Sequence, residues 1–191
     1  IVDLRKSPGN KVSISSIYDR IELVLLENPG SDTLSAQSLT NMSVTEDRFY
    51  FKCGDSTIVS YFKNGTFTDT LNLGTGITDY SIYKDSILDV LSGKRILSYS
   101  LSDYSLKHRA NLDTPVNLTR IARRKNMLYI PGYIDTQEYL CEYDYGTRYF
   151  AEVPKKSSCP DARKDAEQMN FFRYGDHLLS LYPFSERIWE N

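Results

Sequence analysis

The sequence predicts an all-β protein, a β-propeller of four-stranded antiparallel blades. Three observations carry this reading. The 191 residues include 15 Tyr and 8 Phe, and aromatic and β-branched side chains favour pleated, half-buried surfaces. Alanine is sparse and no long 3.6-residue periodicity runs through the chain, which argues against a mostly helical fold. A strand–turn–strand unit recurs at close to 40 residues, the period at which propeller blades repeat. The competing architecture is an antiparallel sandwich with evenly spaced hairpins; the repeat favours the propeller.

The clearest unit lies between Asp47 and Leu73. Phe49 to Cys53 is an apolar run, Gly54-Asp55-Ser56 a turn, and Thr57 to Phe62 a second run. Lys63-Asn64-Gly65 follows, then a strand from Phe67 to Leu73. Asn-Gly between two β-rich runs marks a hairpin, because both residues tolerate positive φ. Upstream, residues 1 to 20 are mixed and polar. Ile21 to Leu26 is an apolar strand suited to closing a ring, and Leu39 to Glu46 is a strand with Met42 and Val44 inward.

Downstream, Gly74 to Tyr80 is a loop. Strands are expected over Tyr80–Tyr83, Ile87–Leu91, Arg95–Leu101 and Leu106–Leu112, then over Leu118–Arg123, Met127–Tyr133, Tyr139–Tyr143 and Arg148–Val153. A polar insertion covers 154–168, with a short helix expected over 160–167 behind a first-turn proline. Met169–Arg173, His177–Tyr182 and Arg187–Glu190 complete the set. The apolar second strands begin at Phe49, Ile87, Met127 and His177, spaced by 38, 40 and 50 residues, the last stretched by the insertion. The expected organisation is one propeller domain over 1–191, with an N-terminal segment over 1–40 and blade units near 41–73, 79–112, 116–153 and 169–191.

Three motifs in this order are similar to those of the six-bladed β-propeller lipoproteins of Bacteroides-type bacteria. In the opening, Ile14, Ser15, Ile17, Ile21, Leu23, Leu26 and Glu27 stand at that family's apolar and acidic positions, with Val24 and Leu25 replacing its usual Ile-Pro. In TIVSYFKNGTFTDTL, Tyr61, Phe62, Asn64, Gly65 and Phe67 match its strand–turn unit. In GTGITDY, Gly74, Gly76 and Tyr80 match its glycine loop; Asp79 replaces a glutamate, and Ile77 and Thr78 replace a proline and a third glycine. The motifs cover residues 1 to 110, and the rest resembles the family by repeat alone. The resemblance implies a six-bladed ring, export, and a lipid-anchored periplasmic or outer-membrane location, but no reaction. Six blades at about 40 residues each need about 240 residues, so the chain is expected to be the N-terminal part of a longer protein. A start at Ile1 fits a removed signal segment or a start downstream of one.

The formal net charge is −2, which offers no electrostatic case for nucleic acid. No 18-residue apolar stretch exists, so no transmembrane segment is expected; a lipid anchor would lie upstream. The cluster Arg120, Arg123, Arg124 and Lys125 reads as a solvated strand end. Cys53 and Cys141 read as small apolar residues inside strands. Together with Cys159 they form no metal motif, and one disulfide is conceivable in an oxidising compartment.

No catalytic residue, metal site or cofactor is expected. The glycines at 74–76 lack the helix and Lys-Ser/Thr pair of a phosphate loop and read as an inter-blade turn. His108 and His177 are isolated, and no GxSxG elbow occurs. The acid pairs Asp135/Glu138 and Glu142/Asp144 read as turn residues. Asn41, Asn64 and Asn117 fit the glycosylation pattern, which a bacterial origin would leave silent. Candidate ligand contacts are Tyr133, Asp135, Tyr139, Tyr182 and Trp189 near strand ends, where aromatic and acidic side chains can grip a sugar or peptide; blade packing is their competing role. The expected function is therefore an exported binding or interaction protein for an unidentified protein, peptide or glycan. A propeller hydrolase or lyase acting on a glycan or peptide is the alternative.

Overall fold

The computed structural model describes residues 22–28, 39–74, 76–154, 170–174, 177–181 and 188–190. All regular structure among them is β. The first sheet is a meander of β1 (Leu39–Val44), β2 (Arg48–Cys53), β3 (Thr57–Phe62) and β4 (Phe67–Asn72). The second repeats it with β5 (Asp79–Tyr83), β6 (Ile87–Ser92), β7 (Arg95–Ser100) and β8 (Leu106–Asn111). In the third, β9 (Asn117–Leu118) and β10 (Ala122–Arg124) both pair with β11 (Met127–Ile134), followed by β12 (Gln137–Asp144) and β13 (Phe150–Pro154). The described part of the fourth is β14 (Asn170–Tyr174), β15 (His177–Leu181) and β16 (Ile188–Glu190). Every pairing is antiparallel. The expected helix over 160–167 lies outside the described residues.

The sheets stack face to face, and the middle strands explain why. Along β6, Leu88 and Val90 pack with Tyr50 and Ile58 of the first sheet. Leu91 turns the other way, joining Leu128, Ile130 and Cys141 of the third. A strand buried on both faces needs apolar side chains on both, and β6 supplies them at Leu88, Val90 and Leu91, interrupted by Asp89, which is buried with a partner of its own. Leu88, Val90 and Leu91 are fully buried. The first strands of the first three sheets gather on one side of the stack, with β5 against β1 and β10; β10 also meets β15, the second strand of the fourth sheet.

Three local expectations change. The apolar run expected as a strand over Ile21–Leu26 has no regular structure where it is described, over 22–28. It meets the first sheet at the β3–β4 turn rather than along a strand. Glu27 instead donates its N–H to the Gly65 carbonyl at 2.8 Å, and its carboxylate accepts the Phe67 N–H at 2.9 Å. Gly65 (φ +91°) is needed there, since a Cβ would stand 1.9 Å from the Leu25 carbonyl oxygen.

In β1, Met42 and Val44 face solvent, at 60% and 53% exposure, rather than inward. Asn41 adopts a φ of 49° at a bulge between Thr40 and Ser43, and it is the polar Asn41 and Ser43 that turn toward the second sheet side. The third change is the single strand expected over Leu118–Arg123, which divides into β9 and β10. Pro131 of β11 faces the gap. It has no N–H to give, and its carbonyl accepts the Thr119 N–H at 2.9 Å and hydroxyl at 3.1 Å. The ladder therefore fails opposite Pro131, which frees the backbone around Arg120 and Ile121 for other partners.

Candidate functional site

At one end of the stack, first strands begin and second strands finish. The turns between the sheets bring Asn41 of β1, Lys52 of β2, Thr78, Asn117 of β9, Arg120 and Tyr133 of β11 around an open hollow of roughly 420 Å³. Three sheets contribute, and the link before β5 supplies Thr78. That link is the glycine loop, and it acts as an inter-sheet turn. Ile77 is buried and its N–H meets the Asp55 carbonyl, while Thr78 donates its N–H to Leu91 at 2.8 Å.

Beneath the hollow lies Asp79, the first residue of β5, with a side chain 8% exposed. One carboxylate oxygen accepts the Asn41 amide at 2.9 Å and faces the Arg120 guanidinium at 3.5 Å. The other accepts the Ile121 N–H at 2.9 Å. A single carboxylate thus ties the first strands of three sheets together, and the break opposite Pro131 supplies two of its donors. Burial pushes the Asp79 carboxyl above its ordinary range, and the Arg120 charge and backbone donors pull against that rise. Next to it, the Tyr80 hydroxyl stands 2.5 Å from the Asn41 carbonyl and 2.7 Å from that of Tyr50. Burial raises its pKa, which keeps the donor proton in place.

A second buried ion pair sits deeper, between the second and third sheets. Arg123 contacts both Asp89 oxygens at 3.3 Å, the two side chains being 6% and 0% exposed. Ser98 donates to Asp89 at 2.5 Å, and the Arg123 Nε donates to the Lys125 carbonyl at 2.9 Å. The Tyr145 ring lies 4.2 Å from the guanidinium and the Tyr83 ring 5.1 Å. The basic run at 120–125 is therefore only in part a solvated strand end: Arg124 is half-exposed and Lys125 exposed, but Arg120 and Arg123 are spent on the carboxylates of the second sheet.

The sequence candidates separate in space. Tyr133 lines the hollow, half-buried and opposite Asn117. Asp135 stands exposed in the following turn at a φ of 49°. Tyr139 sits across from Gly132 and packs against the core shared by the second and third sheets. Trp189 is on β16, opposite Ser180, and Tyr182 lies outside the described residues. Of the acid pairs, Glu138 is buried beside an exposed Asp135. Asp144 caps its own turn through the N–H groups of Gly146 and Thr147, at 2.8 and 3.0 Å, which hold its carboxyl below the usual range. His108 is not isolated: its Nε2 is 2.8 Å from the Tyr143 hydroxyl. Cys53 and Cys141 are both buried, and burial pushes the Cys141 thiol to about 12; Cys159 lies outside the described residues.

Asn41, Lys52, Thr78, Asn117 and Arg120 escaped the sequence reading. Their only signal was Pro131 inside an apolar strand, which forecasts a missing donor and a broken neighbour.

No family model matches the sequence, and no curated protein matches it. Solved structures do. A protein of Bacteroides fragilis described as exported superposes with a TM-score of 0.67 at 13% identity, covering 90% of this chain and 52% of that one. A chain in the Saccharomyces cerevisiae assembly of Dbp5 with Nup159 and Gle1 superposes with a TM-score of 0.58 at 10% identity, covering 80% and 49%. The extracellular domain of a one-component system from B. thetaiotaomicron gives 0.50 at 13%, covering 83% and 20%. With its repeated antiparallel sheets, this chain is a β-propeller protein. It spans about half the length of the B. fragilis chain or less of the others.

Proposed function

We propose that the protein is an exported propeller that binds a ligand or partner at the hollow where its first strands begin, and that it does so without catalysis. The observation that carries this reading is the convergence of Asn41, Lys52, Thr78, Asn117, Arg120 and Tyr133 from three sheets on one concavity. Its volume falls within the about 300–1,000 Å³ common for small-ligand sites. The lining offers amide, hydroxyl and cationic donors beside an aromatic ring, an equipment for holding rather than for the paired-carboxylate chemistry of glycoside cleavage. Asp79 fixes Asn41 and Arg120 from below, so the donors are set before a ligand arrives.

The envelope location rests on the lipoprotein resemblance and on the exported and extracellular descriptions of the Bacteroides neighbours. The four blade units belong to a longer ring, in which further blades would wall the open side of the hollow. Tyr133 is a contact in this reading, and Asp135 flanks the entrance.

The test is a panel of oligosaccharides and short peptides titrated into the 191-residue protein and followed by amide NMR. Binders are expected to move Asn41, Thr78, Asn117 and Tyr133 together, and Tyr133→Ala is expected to weaken them by about tenfold, the loss of one stacking contact of about 1 kcal/mol or slightly more. Shifts scattered over the outer strands β4, β8 and β13, with the hollow silent, would overturn the assignment.

A further inference from the structure

Building on that binding reading, we infer that the hollow takes an acidic sugar, with the carboxylate of a uronic acid residue directed to Lys52. The argument starts from charge. Two cations line the hollow from different sheets, Lys52 from the end of β2 and Arg120 from the gap between β9 and β10. Arg120 is balanced from beneath by Asp79 at 3.5 Å. Lys52 has no such balance: among the described residues no carboxylate pairs with it. The lining residues include no acid, so the concavity carries a positive potential focused by low-dielectric walls.

The rest of the lining selects the body of the ligand. Asn41, Asn117 and Thr78 present amides and a hydroxyl, groups that both give and accept hydrogen bonds and suit the hydroxyls of a pyranose. The Tyr133 ring is half-buried at the edge, where a sugar face can stack on it. A peptide would ask for apolar pockets for its side chains, and the one aliphatic residue of the lining, Leu118, is 8% exposed and committed to the core. Lys52 suits a carboxylate as a mobile point charge.

The experiment titrates trigalacturonate, its neutral counterpart galactotriose, and an N-acetylated tripeptide acid into the full chain by NMR, with Lys52→Gln in parallel. Trigalacturonate is expected to shift Asn41, Thr78 and Asn117, to bind about tenfold or more tighter than galactotriose, and to weaken as salt screens the charge. Lys52→Gln is expected to erase that preference while its spectrum elsewhere keeps the wild-type fold. Equal binding of galactotriose overturns the acidic class and leaves the binding site standing. Tripeptide acid binding as tightly as trigalacturonate overturns the sugar. An unmoved hollow with all three overturns this inference, and the binding reading falls with it only if the wider panel is silent too.

Discussion

The two seams between the first three blades are built differently. The seam between blades one and two is apolar through its middle, where Tyr50 and Ile58 meet Leu88, Val90 and Leu97; its polar ties, Asn41 to Asp79 and the Tyr80 hydroxyl to Tyr50, lie at the end where the first strands begin. The seam between blades two and three has an apolar layer as well, Leu91 and Ile96 against Leu128 and Ile130. Into it are set Asp89, Ser98 and Arg123, and beside it His108, Tyr143 and Tyr145. Apolar packing is indifferent to small changes of register, whereas a buried ion pair has one geometry. The contrast teaches that an ion pair set within the packed layer orients blade three on blade two, whereas the packed layer under blade one works by burial area and its polar ties to Asp79 and Tyr80 lie at one end. The hollow depends on that orientation, because Arg120 lies three residues before Arg123 on the same interrupted strand.

The largest effect is expected from breaking the second seam at Asp89. Asp89→Ala leaves the Arg123 charge buried without its counter-ion, a loss of about 3–5 kcal/mol, read as a drop in the urea midpoint. Leu88→Ala in the first seam removes a fully buried side chain for about 2–5 kcal/mol. These costs overlap, so the discriminating variant is Asp89→Leu with Arg123→Met. Replacing both charges by apolar groups is expected to recover most of the loss, whereas no second substitution of a small residue in the first seam refills the Leu88 cavity. A double variant as unstable as Asp89→Ala would refute the account of the second seam as a desolvated pair.

Gly132→Ala comes next. A Cβ at Gly132 would lie 2.6 Å from the Asn117 carbonyl oxygen and 2.5 Å from Val116, so β9 must shift. A loss of about 1–3 kcal/mol is expected, the usual cost of overpacking. The amide shifts should centre on Asn117 and Tyr133 at the hollow and spare the first seam. Uniform shifts through β2 and β3 would show that the blades do not move independently.

Much of the blade pattern was legible because it is local. Thr57 to Phe62 and the turns at Gly54, Gly65 and Gly93 announce themselves by β propensity and by glycine where φ is positive. The hollow was not legible, because its residues are joined across 38 to 42 positions: Asn41 to Asp79, and Asp79 to Ile121. Strand β1 misled for the same reason. Alternation assigns Met42 and Val44 to the core, but the Asp79 carboxylate draws Asn41 inward, and nothing within β1 encodes that. The basic run at 120–125 looked solvated because its two counter-ions lie in another blade. Of the predicted rim residues, Tyr133 lines the hollow and Tyr139 packs in the core, although both flank the same hairpin. They differ in which face of the pleat they occupy, and that face is set by the register of β11 on β12.

The smallest effect is expected from acidity at the second seam. The His108 ring lies 4.2 Å from that of Tyr145. Burial lowers its pKa, and the charges of Arg148 and Arg123 add to the fall. A histidine whose folded pKa is lowered is held neutral by the fold. Its contribution is whole above the unfolded value of about 6.5. As pH falls through that value, the unfolded chain takes up a proton that the native seam resists, and stability declines until the folded pKa is passed. The first seam has no histidine among its core residues. Urea midpoints measured from neutral pH down to about pH 5 should therefore fall more for the wild type than for His108→Gln, which keeps a donor for Tyr143 without a titrating ring. Parallel curves would remove His108 from the seam's electrostatics and leave them to the Asp89–Arg123 and Asp79–Arg120 pairs.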